Sequence, residues 1–416
     1  MKKSLSIALF TYSTKPRGGV IHTLELGEAL QAAEHRVCIY ALDKDNIGFH
    51  RSLRCSSKLV PTKPVVDRQL LLSRKQDFIQ VKNRVDLVDE LIKQRIQEFV
   101  DYLSQETETY DVYHSQDCIS SNALKVLRDR KIISSFIRTV HHIDEFNSPY
   151  LQECHDRSIL EPDLCLCVSN YWQQQLQQQY KIDAPVVING VDLKKFSSQL
   201  NGFGRSASTR NLRITPEETK LKKRLGINGD PVYLTIGGIE PRKNSLKLLE
   251  AFCKVLKTRP QAQLIIAGGE TLFDYEPYRV EFFEIAKQNK IIIGKSLILP
   301  GVIADEDLPV LYRCADAFVF PSVKEGWGLV LLEAIASGLP VITANIPPFT
   351  EFLDDKSAFL VNPCSSDDIA DAMLDVLNED RARELIYHSK DIPSQYSWQK
   401  SARIHLKHYA KLLQTS

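Results

Sequence analysis

The chain is short of several things, and each shortage removes a class of function. Its 53 Lys+Arg against 52 Asp+Glu leave a net charge of only +1, so no positive excess suits it to a nucleic-acid backbone. No stretch approaches the roughly 20 apolar residues that a bilayer-spanning helix needs, so any membrane contact is expected to be peripheral. Nine cysteines, odd in number and irregular in spacing, argue against a disulfide framework and for a reducing, cytoplasmic compartment. Cys165 and Cys167 fall on one face of a short strand. Two thiols are only half a structural zinc site, so core packing is expected of them, and no metal. The opening Met1-Lys-Lys-Ser-Leu-Ser-Ile-Ala-Leu-Phe10 imitates a signal peptide, but its apolar run is short and no small-residue cleavage site follows. It reads as a first strand.

What is present is an ordinary globular composition, 43% hydrophobic over 416 residues, enough for two or three domains with sizeable cores. Short β-rich runs alternate with helical patterns, which predicts an α/β fold of two parallel-sheet domains. Strands are expected at Leu5–Tyr12, Arg36–Leu42, Tyr110–His114, Ile133–Val140 and Leu164–Val168, with a helix over Val20–Ala33. A second set is expected at Pro231–Ile236, Gln263–Ala267, Ser296–Leu299, Ala317–Phe320 and Val341–Thr343. Between them the pattern breaks over 187–228 into Asn-Gly-Val-Asp and the Gly/Ser/Arg-rich run Asn201–Thr209, the best linker candidate. Domains are therefore drawn at 1–186 and 229–397. Within 62–106, Arg68 to Leu103 carries a charged helical pattern with apolar residues at Leu71, Phe78, Val81, Val85, Val88, Ile92, Ile96 and Phe99. Its acids and bases balance, which favours a solvated helix with one buried face over a membrane-surface element. Trp398 to Leu413 reads as a basic amphipathic helix.

The most informative segment is Lys324-Glu-Gly-Trp-Gly-Leu-Val-Leu-Leu-Glu333 with Ala-Ile-Ala-Ser-Gly-Leu-Pro-Val341 after it. Glu325 stands before a glycine-flanked turn and Glu333 inside an apolar helix, the only charge between Glu325 and Glu351. A carboxylate there is costly to bury unless something hydrogen-bonds it, and sugar hydroxyls are suitable donors. The N–H groups of Gly326, Trp327 and Gly328 are placed to face an anion such as a diphosphate. Either glutamate alone reads more readily as part of a solvated helix face with a glycine turn.

Together, with Phe320-Pro321-Ser322 before and Gly338-Leu-Pro-Val341 after, this Glu-x7-Glu pattern resembles the signature of the retaining glycosyltransferases of family 4 (group 1 glycosyl transferases). The resemblance implies the GT-B fold, two Rossmann-like doubly wound domains facing a cleft, with helix 398–416 packed back on the N-terminal, acceptor-side domain. It implies a hexosyl group moved from a nucleotide-diphosphate sugar, UDP favoured and GDP possible, to an acceptor hydroxyl of a saccharide, lipid or small metabolite. The donor is then a substrate, and no tightly bound cofactor is expected.

Matching residues fall in loops after strands. Lys15-Pro-Arg-Gly-Gly-Val20 places Gly18 and Gly19 at a helix start, where backbone can approach phosphate closely. In Arg138-Thr-Val-His-His-Ile-Asp144 the resemblance assigns His141, ahead of His142, to the donor sugar and the charge developing beside it, with His114 supporting that loop. Gly237-Gly-Ile-Glu-Pro-Arg-Lys-Asn244 offers Arg242 and Lys243 to neutralise a diphosphate leaving group. Many family members carry an Arg after the first glycine, where this chain has Gly238. Glu325 is assigned to hydroxyls of the transferred sugar and Glu333 to the ribose. Gly237, Gly268, Val302, Gly326, Trp327, Gly328 and Leu329 are expected to frame the diphosphate and base, mostly through backbone.

Three other readings compete. Asp43-Lys-Asp45 fits the Asp-x-Asp metal site of the other main glycosyltransferase fold, but leaves the second half unexplained. A catalytically inactive sugar-nucleotide-binding regulator would be expected to have lost motif residues that this chain keeps. For a GT-B epimerase or phosphorylase, the Glu-x7-Glu segment argues against the first, and no pyridoxal-phosphate lysine motif supports the second.

Overall fold

The computed structural model describes residues 4–44, 46–64, 81–197, 214–269 and 275–415. They form two compact units, Met1–Asn189 with Trp398–Ser416, and Gly190–Ser397. Each is built on a six-stranded sheet.

In the first unit the strands β1 (Ser6–Thr11), β2 (Arg36–Asp43), β3 (Ser56–Pro61), β4 (Val112–Ser115), β5 (Ile137–Val140) and β6 (Leu164–Cys167) lie in the order 3-2-1-4-5-6. All the pairs are parallel. Ile7, Ala8, Leu9 and Phe10 are fully buried, because a parallel strand is covered on both faces. Helix α1 (Gly18–Ala32) presses close to the sheet at Gly27, where a Cβ would come within 2.8 Å of Ile39 Cδ1. Helix α2 (Val81–Ser104) buries Phe99, Val100 and Leu103 against Phe10, Tyr40 and Val60. Of the apolar stripe that the periodicity predicts, Phe99 is buried and Val88, Ile92 and Ile96 are partly so, while Leu71, Phe78 and the side chains of Val81 and Val85 lie outside the described residues. Helices α3 (Cys118–Asp129), α4 (Pro149–Leu160) and α5 (Asn170–Tyr180) each begin at a side-chain cap, Asp117, Ser148 and Ser169.

The second unit repeats the plan. It opens with α6 (Leu193–Phe196) and α7 (Pro216–Leu225), the latter held by a Thr215/Glu218 capping box. Its strands are β7 (Val232–Ile236), β8 (Gln263–Ala267), β9 (Leu297–Gly301), β10 (Ala317–Phe320), β11 (Val341–Ala344) and β12 (Phe359–Val361). They run in the order 12-11-10-7-8-9, which is the same 3-2-1-4-5-6 winding counted from β7. Helices α8 (Ser245–Thr258), α9 (Glu276–Gln288), α10 (Leu308–Arg313), α11 (Leu329–Ala336), α12 (Ser366–Asp375) and α13 (Glu379–Ser389) follow. The strand order in each sheet reverses at one point, between β1 and β4 and between β7 and β10, and ligands bind beyond the carboxyl ends of strands at such a point.

Two details differ from the sequence reading. Strands β3 and β12 were not anticipated. The predicted strand Ile133–Val140 begins only at Ile137, because Lys131 adopts a left-handed φ of 60° and Ile132 N–H bonds back to Leu127, closing α3. The candidate linker run 201–209 lies outside the described residues. Helix α14 (Trp398–Thr415) packs on α1 within the first unit. Among the described residues no helix is long and apolar enough to cross a membrane.

Candidate active site

In the second unit, the loops after β7 and β10 bring three side chains onto one oxygen of Glu325. Glu325 Oε1 accepts from Lys243 Nζ at 2.5 Å and Arg242 Nη1 at 2.9 Å, and Ser322 Oγ stands 2.9 Å away. Burial pushes the Glu325 carboxyl up, but Lys243 and Arg242 outweigh it and draw it down to about 2. Burial and Arg242 pull the Lys243 ammonium below its ordinary value, against the attraction of Glu325. Lys243 Nζ also lies 4.7 Å from the centre of the Phe320 ring, and Arg242 Nε donates to Glu240 Oε2 at 3.1 Å. The result is an ionised carboxylate between two cations.

Asn244 fixes the frame. It adopts a left-handed φ of 59° at the start of α8, and its Nδ2 donates to Pro321 O at 3.0 Å and Pro363 O at 2.6 Å. Three loops, after β7, β10 and β12, are tied by one amide. The Gly237-Gly238 and Gly268-Gly269 turns meet backbone to backbone, since a Cβ on Gly268 would fall 2.4 Å from Gly237 C and one on Gly238 2.6 Å from Gly269 O. Val302, beyond β9, is exposed beside Gly269.

The Glu-x7-Glu segment is divided by Gly328, which caps α11 with φ 104°. Gly326 and Trp327 lie in the turn before the helix, so the helix itself opens at Leu329. Trp327 is buried, stacks on Phe352 at 4.9 Å, and its indole N–H has no hydrogen-bond partner among the described residues. Glu333 is half-buried one turn further on, and Tyr312 Oη donates to its Oε2 at 2.8 Å. Burial and then Glu333 drive the Tyr312 phenol well above its ordinary range, so it remains a donor.

In the first unit, Gly18 and Gly19 open α1, and a Cβ on Gly19 would lie 3.8 Å from the His141 ring. His141 stands just past β5, with its Nε2 3.1 Å from Gln116 Oε1 and its ring 4.9 Å from that of His22. Burial, then the charges of His22 and Arg138, lower its pKa well below the ordinary value, so the ring is neutral. His142 instead pairs with Asp144 at 3.0 Å. His22 is fully buried with its Nδ1 2.7 Å from Asn189 Oδ1. Asp43 accepts from the N–H groups of Ile47 and Gly48, and Asp45 lies outside the described residues.

Residues 217–391 match the family "Glycosyl transferases group 1", and residues 16–195 match "Glycosyltransferase Family 4". The chain belongs to the group 1 glycosyl transferases. Like other members of this group it has the GT-B fold. Over 99% of its length it superposes on sucrose-phosphate synthase from Thermosynechococcus elongatus, with 99% of that chain covered, a TM-score of 0.72 and 20% identity. It superposes equally on Anabaena HepE in complex with UDP-glucose, at TM-score 0.72 and 16% identity, covering 99% of this chain and 100% of that one. In sequence it is 28% identical to the alpha-monoglucosyldiacylglycerol synthase of Streptococcus pneumoniae over 67% of its own length and 62% of the relative's. The match to the Escherichia coli mannosyltransferase WbdA spans 22% of that protein.

Sequence reasoning named Arg242, Lys243, Glu325 and Glu333 but not the residues that hold them. Ser322, Asn244 and Tyr312 were missed as supports, as were Gln116 and Asn189. Only Ser322, in the Pro-Ser pair ahead of Glu325, and Asn244, at the end of the Gly237–Asn244 motif, carried a local signal.

Proposed function

We propose that this chain is a retaining glycosyltransferase that moves a hexosyl group from a nucleotide-diphosphate sugar, with UDP favoured, to an acceptor hydroxyl without a metal. The observation that carries the reading is the convergence of Arg242, Lys243 and Ser322 on ionised Glu325 at the switch point of the second sheet. Two cations held by a carboxylate are ready to exchange part of that partnership for diphosphate oxygens. Stabilisation that grows as the leaving group gains charge lowers the barrier.

In this reading Glu325 also binds hydroxyls of the transferred sugar, Glu333 takes the ribose, and neutral His141 meets the charge that develops at the sugar. The bond from the anomeric carbon to the diphosphate oxygen breaks while the bond to the acceptor oxygen forms on the same face. The acceptor proton passes to the departing phosphate oxygen. Support for UDP comes from HepE, whose structure holds UDP-glucose. Acceptors among the relatives differ, as the diacylglycerol-linked name of the pneumococcal synthase illustrates.

The test is thermal stability against UDP, GDP, ADP and their common sugar conjugates, since a ligand bound only by the folded state raises the midpoint. We expect a shift with UDP and UDP-sugars that Glu333→Ala removes. No shift with any nucleotide would sink the reading.

A further inference from the structure

Behind His141 runs a chain of buried polar groups that ends on α14. His141 Nε2 meets Gln116 Oε1 at 3.1 Å, Gln116 Nε2 meets His114 Nε2 at 3.2 Å, and His114 Nδ1 meets Tyr409 Oη at 2.7 Å. Thr139 Oγ1 adds a contact to His114 Nε2 at 2.8 Å. Gln116, His114, Thr139 and Tyr409 are all buried, so water is not at hand to replace a lost partner.

Each link dictates the next. An amide oxygen can only accept, so His141 carries its proton on Nε2 and leaves Nδ1 bare. The amide nitrogen can only donate, so His114 Nε2 is bare and its proton sits on Nδ1, given to Tyr409. A turned amide would reverse the assignment, with the His141 proton on Nδ1 and the phenol as donor to His114. The chain therefore has two self-consistent settings, and the structure holds the first.

We propose that Gln116, set by His114 and Tyr409, is the positioning residue for His141, and that α14 thereby selects which ring nitrogen of His141 carries the proton. This rests on the reading of His141 as a group that meets the transferred sugar. A ring that presents the wrong nitrogen offers a donor where an acceptor is required, or the reverse, so the same side chain in the same place loses its use. Tyr409 itself touches no substrate in this scheme and acts through two intermediates.

The decisive variant is Tyr409→Phe. Removing the phenol oxygen leaves His114 Nδ1–H buried without an acceptor, which is worse than a bare ring nitrogen. His114 then moves its proton to Nε2, the Gln116 amide turns over, and His141 finishes protonated on Nδ1. The experiment is ring-15N NMR of histidine-labelled full chain, with the His141 signals identified by their loss in His141→Asn.

The wild type is expected to show His141 as the Nε2–H tautomer, Tyr409→Phe the Nδ1–H tautomer, and Gln116→Leu a mixture. Gln116→Glu keeps an acceptor in place and retains Nε2–H. In parallel, UDP release from UDP-glucose should fall about tenfold to a hundredfold in kcat for Tyr409→Phe with donor KM unchanged. An Nδ1–H tautomer in the wild type, or Nε2–H persisting in Tyr409→Phe, overturns the proposal. So does a fall in kcat with no change of tautomer. A tautomer that moves as expected in a protein that never releases UDP supports the relay and counts instead against the assigned reaction.

Discussion

Lys243 Nζ and Glu325 Oε1 lie 2.5 Å apart, with both side chains largely withdrawn from water. Breaking such a pair from one side leaves a buried charge, whereas replacing both with apolar groups does not.

Glu325→Ala is therefore expected to cost about 3 kcal/mol of stability, and Glu325→Leu with Lys243→Met to recover most of it. Turnover should be lost in both. Urea denaturation beside a UDP-release assay separates the two effects, and additive stabilities in the cycle would refute the coupling.

Tyr312→Phe removes the donor that orients Glu333. One hydrogen bond to a charged group is at stake, so UDP affinity should weaken by about tenfold while the fold loses about 1 kcal/mol. Calorimetric titration with UDP measures the first. An unchanged affinity would detach Glu333 from nucleotide binding.

Two glycines should behave oppositely. At Gly18 an added Cβ meets nothing within 4 Å, so Gly18→Ala is expected to leave stability within about 0.5 kcal/mol, or slightly raised. At Gly268 the Cβ would overlap the Gly237 backbone, and Gly268→Ala should cost about 3 kcal/mol. Comparing thermal midpoints of the two variants is enough to check this.

Four neighbouring histidines in the first unit are held neutral by burial. His22 is drawn down to about 4 and His405 to about 3, with His114 and His141 well below their ordinary value. The unfolded chain takes up protons on these rings below about pH 6.5 and the folded one does not, so stability falls as pH drops from 6.5 towards 4. Each ring contributes a slope of at most about 1.4 kcal/mol per pH unit. Asp117, whose carboxyl burial raises, opposes them as a single group. Glu325 adds its own loss only below the unfolded value of 4.5. Denaturation midpoints should be slightly lower at pH 6.5 than at pH 7.5, because the unfolded rings are then half protonated, and much lower at pH 5.5. A flat profile to pH 5.5 would contradict the neutral cluster.

Strands such as Ala317–Phe320 and Gln263–Ala267 were legible because burial on both faces demands an unbroken apolar run. Ser56–Pro61 was not, because an edge strand exposes most of its side chains, and its pairing with β2 is decided by backbone groups that composition does not record. Phe359–Val361 is too short to make a pattern. The site divides in the same way. Glu325 and Glu333 announce themselves as charges in an apolar segment, but nothing local to Tyr409 ties it to His114, nor anything beside Tyr312 to Glu333. Such partners are chosen by how strands and helices stack.

Helix α14 belongs to the first unit, yet all of Gly190–Ser397 is translated between it and the rest of that unit. During synthesis the face of α1 that carries His22 must wait uncovered, and the acceptor of His114 Nδ1 is missing until Tyr409 has left the ribosome. The second unit is complete before the first. A nascent chain halted at Ser397 would thus hold a finished second unit and a first unit whose six strands are made but whose α1 still lacks its covering helix.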